Sequence, residues 1–235
     1  MKALSFNLSG KFAHFKKPDV NSYAYFTYSH IHKIALLGII GAILGLEGYK
    51  RDLKDYPEFY EKLKDFKISI IPKKPYFSKK MIYFNNSVGY ASREEGGNLI
   101  VREQWLEKPQ WEILILENET EEFKELKNRL FKKEFAFIPY LGKNDHFAKI
   151  ENIKEIEFKR GEKDLVCVSL IPKNKAVLKK HPRFGEQFFY SEFLPVALKK
   201  KFLIYEYEEM ILSSWIVECK DENYFEYNNE NLYFI

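Results

Sequence analysis

Two cysteines in 235 residues, Cys167 and Cys219, are too few for a disulfide framework or a Cys-rich zinc site. Cys167 lies inside Leu165-Val-Cys-Val-Ser-Leu-Ile171 and reads as a small buried hydrophobe, which suits a reducing cytoplasm. No apolar run reaches the roughly 20 residues of a membrane helix. The longest, Ile34 to Leu46, has 13 residues, three of them glycine, and reads as a buried helix. Met1-Lys2 opens an alternating segment with no apolar signal-peptide core, so the expectation is a cytoplasmic chain without a membrane partner. There is no Walker ending, no GxSxG and no HExxH. The five histidines do not cluster; His30 and His32 are two positions apart and would face different sides of a helix. Neither a metal nor a cofactor is expected, and a stand-alone enzyme is disfavoured.

Charge is also nearly balanced: the formal net charge is +4, too little to mark a nucleic-acid binder by itself. Its distribution is uneven. Basic residues gather over 67–102 and 173–201, while the chain from Asp221 onward is acidic. Aromatic residues make up 17% of the chain, and most must be core because large rings are costly to leave in water.

Leu4, Phe6 and Leu8 alternate with polar residues and predict a half-buried first strand. Residues 10–27 read as loop, and His30 to Leu46 as a helix apolar on nearly every side. Within it Gly38, Gly41 and Gly45 fall on roughly one face, each at a cost of up to about 1 kcal/mol relative to Ala. Such a stripe admits close approach, either of another element of the chain or of a ligand or partner backbone. A short helix over 57–65 and a strand over 66–70 follow. Met81–Phe84 and Leu99–Val101 then read as the arms of a hairpin turning at Gly96-Gly97. A strand over 111–116, a helix capped by Asn118 and Glu121 and running to Lys132, and a fourth strand over 135–140 complete the first part. The predicted fold class is α+β: a ferredoxin-like (RRM-like) domain over 1–149 with a β-hairpin thumb inserted near 73–109. A smaller, mostly β part over 150–235 has strand-like runs at 153–158, 164–171, 202–207 and 211–218.

Three features together point to RNA. Lys11, Lys16, Lys17 and Lys33 surround the start of the first helix, where backbone N–H groups and the helix dipole favour anions. Ser22, Tyr23 and Tyr25 interleave hydroxyls and rings there, and rings stack on unpaired bases. The hairpin adds Lys79, Lys80, Arg93 and Arg102. The aromatic consensus of sheet-face RNA readers is absent, so RNA is expected at the loops, the glycine helix and the hairpin. His14 beside these lysines, and Lys180-His181 with Tyr190, are the candidates for metal-independent RNA cleavage; the bland reading of both is a basic loop that holds phosphate.

Phe12-Ala-His-Phe-Lys-Lys-Pro18 and the run Ser29 to Tyr49 resemble the N-terminal signature of the Cas-five family, CRISPR-associated subunits of type I Cascade complexes. Ile138-Pro-Tyr-Leu-Gly-Lys143 is similar to a second landmark of that family, and the type I-B branch is the nearest in helix and length. The sequence departs from the pattern in reading Lys where Arg is usual and in lacking Pro-Pro before the helix. The resemblance implies a subunit that caps the 5′ handle of the CRISPR RNA, gripping it with the Gly-rich helix region of Gly38, Gly41 and Gly45 and with the thumb; the residue pattern adds His14 and the basic loop as RNA-binding candidates. It also implies contact with the large subunit and backbone subunits, and with target DNA through the complex. In one branch of the family the subunit itself cuts precursor RNA with a Tyr and an adjacent Lys-His pair. Here the one such pair is Lys180-His181, late in the chain, so a non-catalytic role is expected. The tail Glu230-Asn-Leu-Tyr-Phe234 matches the core of a tag-cleavage sequence but ends in Ile235, and is read as native.

Overall fold

Leu4, Phe6 and Leu8 point to one side of a central strand and are almost wholly buried, as their alternation requires. In the computed structural model, which describes residues 1–19, 22–50, 55–86, 99–161, 164–179 and 186–235, that strand is β1 (Lys2–Ser9), followed by β2 (Phe12–Ala13) and helix α1 (Lys33–Leu44). Next come α2 (Glu58–Leu63), β3 (Ile68–Pro72), the hairpin arms β4 (Lys79–Asn85) and β5 (Ile100–Glu107), β6 (Gln110–Leu116), α3 (Glu121–Lys132) and β7 (Lys149–Glu157). The main sheet runs β3-β6-β1-β7 with every neighbour antiparallel. With α1 between its first two strands in sequence and α3 between its last two, this is a β-α-β-β-α-β connectivity. The hairpin is inserted between the second and third sheet strands and pairs with β2 as a separate sheet, β2-β5-β4.

Three local expectations are corrected. The fourth sheet strand is β7, whereas 135–140 is loop: Ala136 and Phe137 donate their amides to the Ile43 and Ala42 carbonyls and so cap the end of α1. Helix α3 is capped by the Thr120 hydroxyl, which accepts from the Phe123 amide at 3.2 Å; Asn118 instead accepts from Thr120. Helix α1 begins at Lys33, because the His32 ring accepts from the Ala35 amide at 3.2 Å and its backbone is extended.

The rest of the chain is β8 (Lys159–Arg160), β9 (Leu165–Val166), β10 (Ile171–Pro172), β11 (Val177–Leu178), β12 (Phe189–Leu198), β13 (Tyr205–Ser213), β14 (Ile216–Glu218), β15 (Tyr224–Tyr227) and β16 (Glu230–Tyr233). Residues 202–203, expected as strand, carry positive φ and make the turn between β12 and β13. Tyr190, Leu194, Leu198, Met210 and Leu212 from this hairpin pack into the same cluster as α1. On the opposite face of the main sheet, Ala3, Leu114 and Ile156 meet Phe225, Leu232 and Phe234. The first strand is therefore buried on both faces, and Ser5 survives there by donating to the Glu112 carboxylate at 2.9 Å. Ile235 exchanges two backbone hydrogen bonds with Ile68, and the preceding residues Asn231 to Phe234 are buried, so the tail is part of the core. The basic stretch near 173–179 is neutralised internally by Lys173–Glu209, Lys175–Asp221 and Lys179–Glu218 ion pairs.

Candidate nucleic-acid interface

The loop before α1 is fastened to the thumb. Tyr25 donates its amide to the Arg102 carbonyl at 2.8 Å and accepts from the Gln104 amide at 2.9 Å. Below it the buried Thr27 hydroxyl accepts from Phe15 and donates to the Tyr28 carbonyl. This places Tyr23, 79% exposed, over the thumb. In the thumb itself Tyr83 and Arg102 are direct cross-strand partners, and Tyr83 is 63% exposed. The Arg102 guanidinium lies 5.1 Å from the Tyr23 ring centre and 5.7 Å from that of Tyr83. Lys16 lies 3.7 Å from the Tyr25 ring centre on the same edge. Cation–π attraction holds such a row in place without hiding it from solvent. Two outward rings flanking a cation offer faces for unpaired bases and a charge for the phosphates between them. The sequence reading included Tyr23, Tyr25, Lys16 and Arg102 but missed Tyr83. Its signal was the alternation along β4, which puts Tyr83 and Met81 on one face.

The other expected cations divide into two groups. Lys11, Lys79 and Lys80 are exposed, as is Ser22. Lys17 pairs with Glu192 at 2.5 Å, and Lys79 donates to the Ser29 hydroxyl at 2.9 Å. Burial lowers the Lys79 pKa, as it does that of Lys33, whose charge faces Asp65 and Glu208. Lys17 thus ties the loop to the body, while Lys79, itself exposed, links the thumb to the loop. Arg93, Gly96-Gly97 and Lys180-His181 lie outside the described residues.

The glycine stripe does not act as one surface. A Cβ on Gly41 would sit 2.6 Å from that of Phe59, so this glycine lets α2 approach α1. Gly45 is not interior to the helix but its C-cap, at φ 80°. Gly38 alone faces open space.

Behind the thumb, two buried histidines meet. His14 has its Nδ1 2.9 Å from the Gln104 carbonyl, which only accepts, so Nδ1 carries the proton and Nε2 is bare. That Nε2 and both ring nitrogens of His146 are buried without a protein partner. Burial lowers both pKa values; Glu103 opposes this and Lys143 adds to it. Glu103 accepts from Lys143 at 2.6 Å and from the Trp105 indole at 2.8 Å. Among the described residues no group of three metal-ligating side chains forms. The sequence at 138–143 builds this corner. A Cβ on Gly142 would overlap the His14 carbonyl, and φ there is +87°, so only glycine fits. Leu141 accepts from the His14 amide at 3.0 Å.

No protein-family model and no curated protein matches the chain. Solved structures do. A chain of a CRISPR RNA-guided surveillance complex aligns at TM-score 0.59 and 12% identity, covering 92% of this chain and 91% of that one. A CRISPR protein from Archaeoglobus fulgidus aligns at 0.53 and 10%, covering 99% and 98%. A chain of the type III-B Cmr-β complex bound to cognate target RNA and AMPPnP aligns at 0.52 and 10%, covering 91% and 85%. At these identities the shared property is the α+β fold. Among the described residues no helix is long and apolar enough to cross a membrane.

Proposed function

We propose that this chain is an RNA-binding, non-catalytic subunit of a CRISPR effector complex, capping the 5′ handle of the CRISPR RNA in the manner of the Cas-five family. The observation that carries the reading is the exposed row Tyr23–Arg102–Tyr83, flanked by Lys16 and Tyr25, where loop and thumb join. Rings stack bases and cations hold phosphate, so the row suits a single strand leaving a duplex or a neighbouring subunit. Fold neighbours drawn from RNA-guided complexes support it, as do the sequence landmarks at 12–49 and 138–143. The large and backbone subunits of such a complex are the expected protein partners, and target DNA is met through them. The type I-B branch remains the subtype the sequence favours.

The burial of His14 weighs against this one of the two candidate cleavage sites; the other, Lys180-His181, lies outside the described residues. The bare Nε2 of His14 is buried without a protein partner and would have to be uncovered to come within hydrogen-bond distance of a ribose 2′-hydroxyl. Two measurements test the proposal on purified protein. Handle RNA should bind more tightly than random RNA of equal length, with affinity that falls steeply as salt rises; equal affinities, or a flat salt dependence, would overturn handle recognition. Labelled repeat RNA incubated without divalent metal should remain intact; cleavage at one site would show an endoribonuclease instead.

A further inference from the structure

Arg102 and Glu103 are neighbours on β5, so their side chains leave opposite faces of the thumb. The front carries Arg102 between Tyr23 and Tyr83. The back is held by a corner of buried polar groups. Glu103 pairs there with Lys143, whose ammonium also lies 5.0 Å from the Phe84 ring centre and 5.5 Å from that of Trp105. One cation from the 138–143 landmark thus touches both arms of the thumb. His14 donates from Nδ1 to the Gln104 carbonyl, and the Gln104 amide donates to the Tyr25 carbonyl. Two bonds therefore lead from the His14 ring to the loop that presents Tyr23. The His146 ring sits edge-on to Trp105, centres 4.4 Å apart, and lies 6.1 Å from Phe12.

Three ring nitrogens of this corner, His14 Nε2 and both of His146, are buried without a protein partner, where buried polar atoms are ordinarily paired. The charged or titratable groups facing His14 are Glu103, Lys143 and Lys16; those facing His146 are Asp145, Lys143, Glu103 and His14 itself. Lys16 and Asp145 are exposed, so solvent screens them. That leaves one buried charge of each sign, Glu103 and Lys143, already matched 2.6 Å apart. A proton on either ring adds a second cation against a single carboxylate, on an N–H that has no acceptor. Burial accordingly holds both rings below the ordinary histidine range. We propose that His14 and His146 are positioning residues for RNA binding: neutral, they lock the back of the thumb to the 138–147 corner and so set the Tyr23–Arg102–Tyr83 row; protonated, they release it. This rests on the reading of that row as the RNA-binding surface. His14 is then not an RNA contact but part of the support behind one, and the two roles have opposite pH signatures. A histidine on a phosphate gains charge in acid and tightens RNA. In the support, RNA and the corner proton exclude each other. Affinity then falls about tenfold per pH unit below the point at which a ring takes up its proton.

The test is the affinity of the full chain for handle RNA from about pH 7.5 to about pH 5 at fixed salt, with circular dichroism verifying the fold at each pH. Wild type should lose affinity as pH falls. His14→Asn keeps a donor for the Gln104 carbonyl and His146→Phe keeps a ring against Trp105, and neither titrates. Their combination should abolish the loss, whatever its affinity at neutral pH. NMR of the wild type gives a readout that needs neither variants nor RNA. The Tyr25, Arg102 and Gln104 amides should shift with the same midpoint as the His14 and His146 rings, below the ordinary histidine value of about 6.5. A wild-type affinity that is flat or rises in acid, a double variant that keeps the wild-type loss, or amides that stay still while the rings titrate would overturn the inference. If wild type bound no handle RNA at any pH, the reading of the row would fall, and the coincidence of ring and amide titrations would still decide whether the corner releases the thumb.

Discussion

Lys17 and Glu192 form an ion pair of 2.5 Å across 175 positions of sequence. The same carboxylate accepts from the Ser29 amide and the Tyr190 hydroxyl, both at 2.8 Å, so one side chain fastens the loop before α1 to β12. Burial alone would raise the Glu192 pKa; Lys17, Ser29 and Tyr190 together bring it below the usual carboxylate range. Glu192→Ala removes the shared acceptor of three part-buried donors and should cost about 1–3 kcal/mol in denaturant unfolding, with Glu192→Gln costing less. A group with a depressed pKa stabilises above its unfolded value and loses that stability as pH falls through the folded one. Acid should therefore destabilise the wild type more than the Glu192→Gln variant.

Tyr23→Ala and Tyr83→Ala should each weaken handle RNA binding by about 1–2 kcal/mol, the worth of one stacked base, with little change in salt dependence. Arg102→Ala should weaken it and also reduce the slope of log affinity against log salt by about one. Fluorescence anisotropy at several salt concentrations separates the two. Unchanged affinity in all three variants would remove the thumb row from the interface.

Gly38→Ala and Gly41→Ala should part company in thermal melts. At Gly38 the added methyl meets nothing, and better helix propensity should raise stability by about 0.5–1 kcal/mol. At Gly41 it meets Phe59 at 2.6 Å, and overpacking should lower stability by about 1–3 kcal/mol. Equal effects would contradict the placement of α2 against α1.

Burial pushes the His30 pKa down to about 4 and that of His32 to about 3. Both are neutral when folded, and the unfolded chain binds their protons first. The stability this confers is complete above the ordinary histidine value of about 6.5 and drains away as pH falls toward 4 and then 3. The His32 ring also accepts from the Ala35 amide, a role it loses once protonated. His32→Asn keeps a capping acceptor without the titration. It should flatten the stability profile between pH 6.5 and 4, whatever its effect on stability at neutral pH. An unaltered slope would place the titration elsewhere.

The strands and helices with strong local signals were legible in the sequence. Alternation marked β1, the apolar residues after Glu112 marked β6, the apolar run marked the centre of α1, and a basic hairpin between two strands announced the thumb. Gly142 stood inside a landmark whose geometry requires glycine. What sequence by itself determined was local periodicity and residue chemistry, because those depend on a few neighbours along the chain. Tertiary structure decided the rest. It neutralised the basic run near 173–179 and spent Lys17 on an internal tie. It also divided three apparently equivalent glycines into a packing site, a helix cap and an open floor. The reason is physical: the fate of a charge or a missing Cβ depends on atoms brought there from distant positions, Glu192 against Lys17 and Phe59 against Gly41. No spacing within a segment encodes those arrivals. The same holds for Tyr83, whose role follows from the strand that sets Arg102 opposite it and the loop that lays Tyr23 alongside.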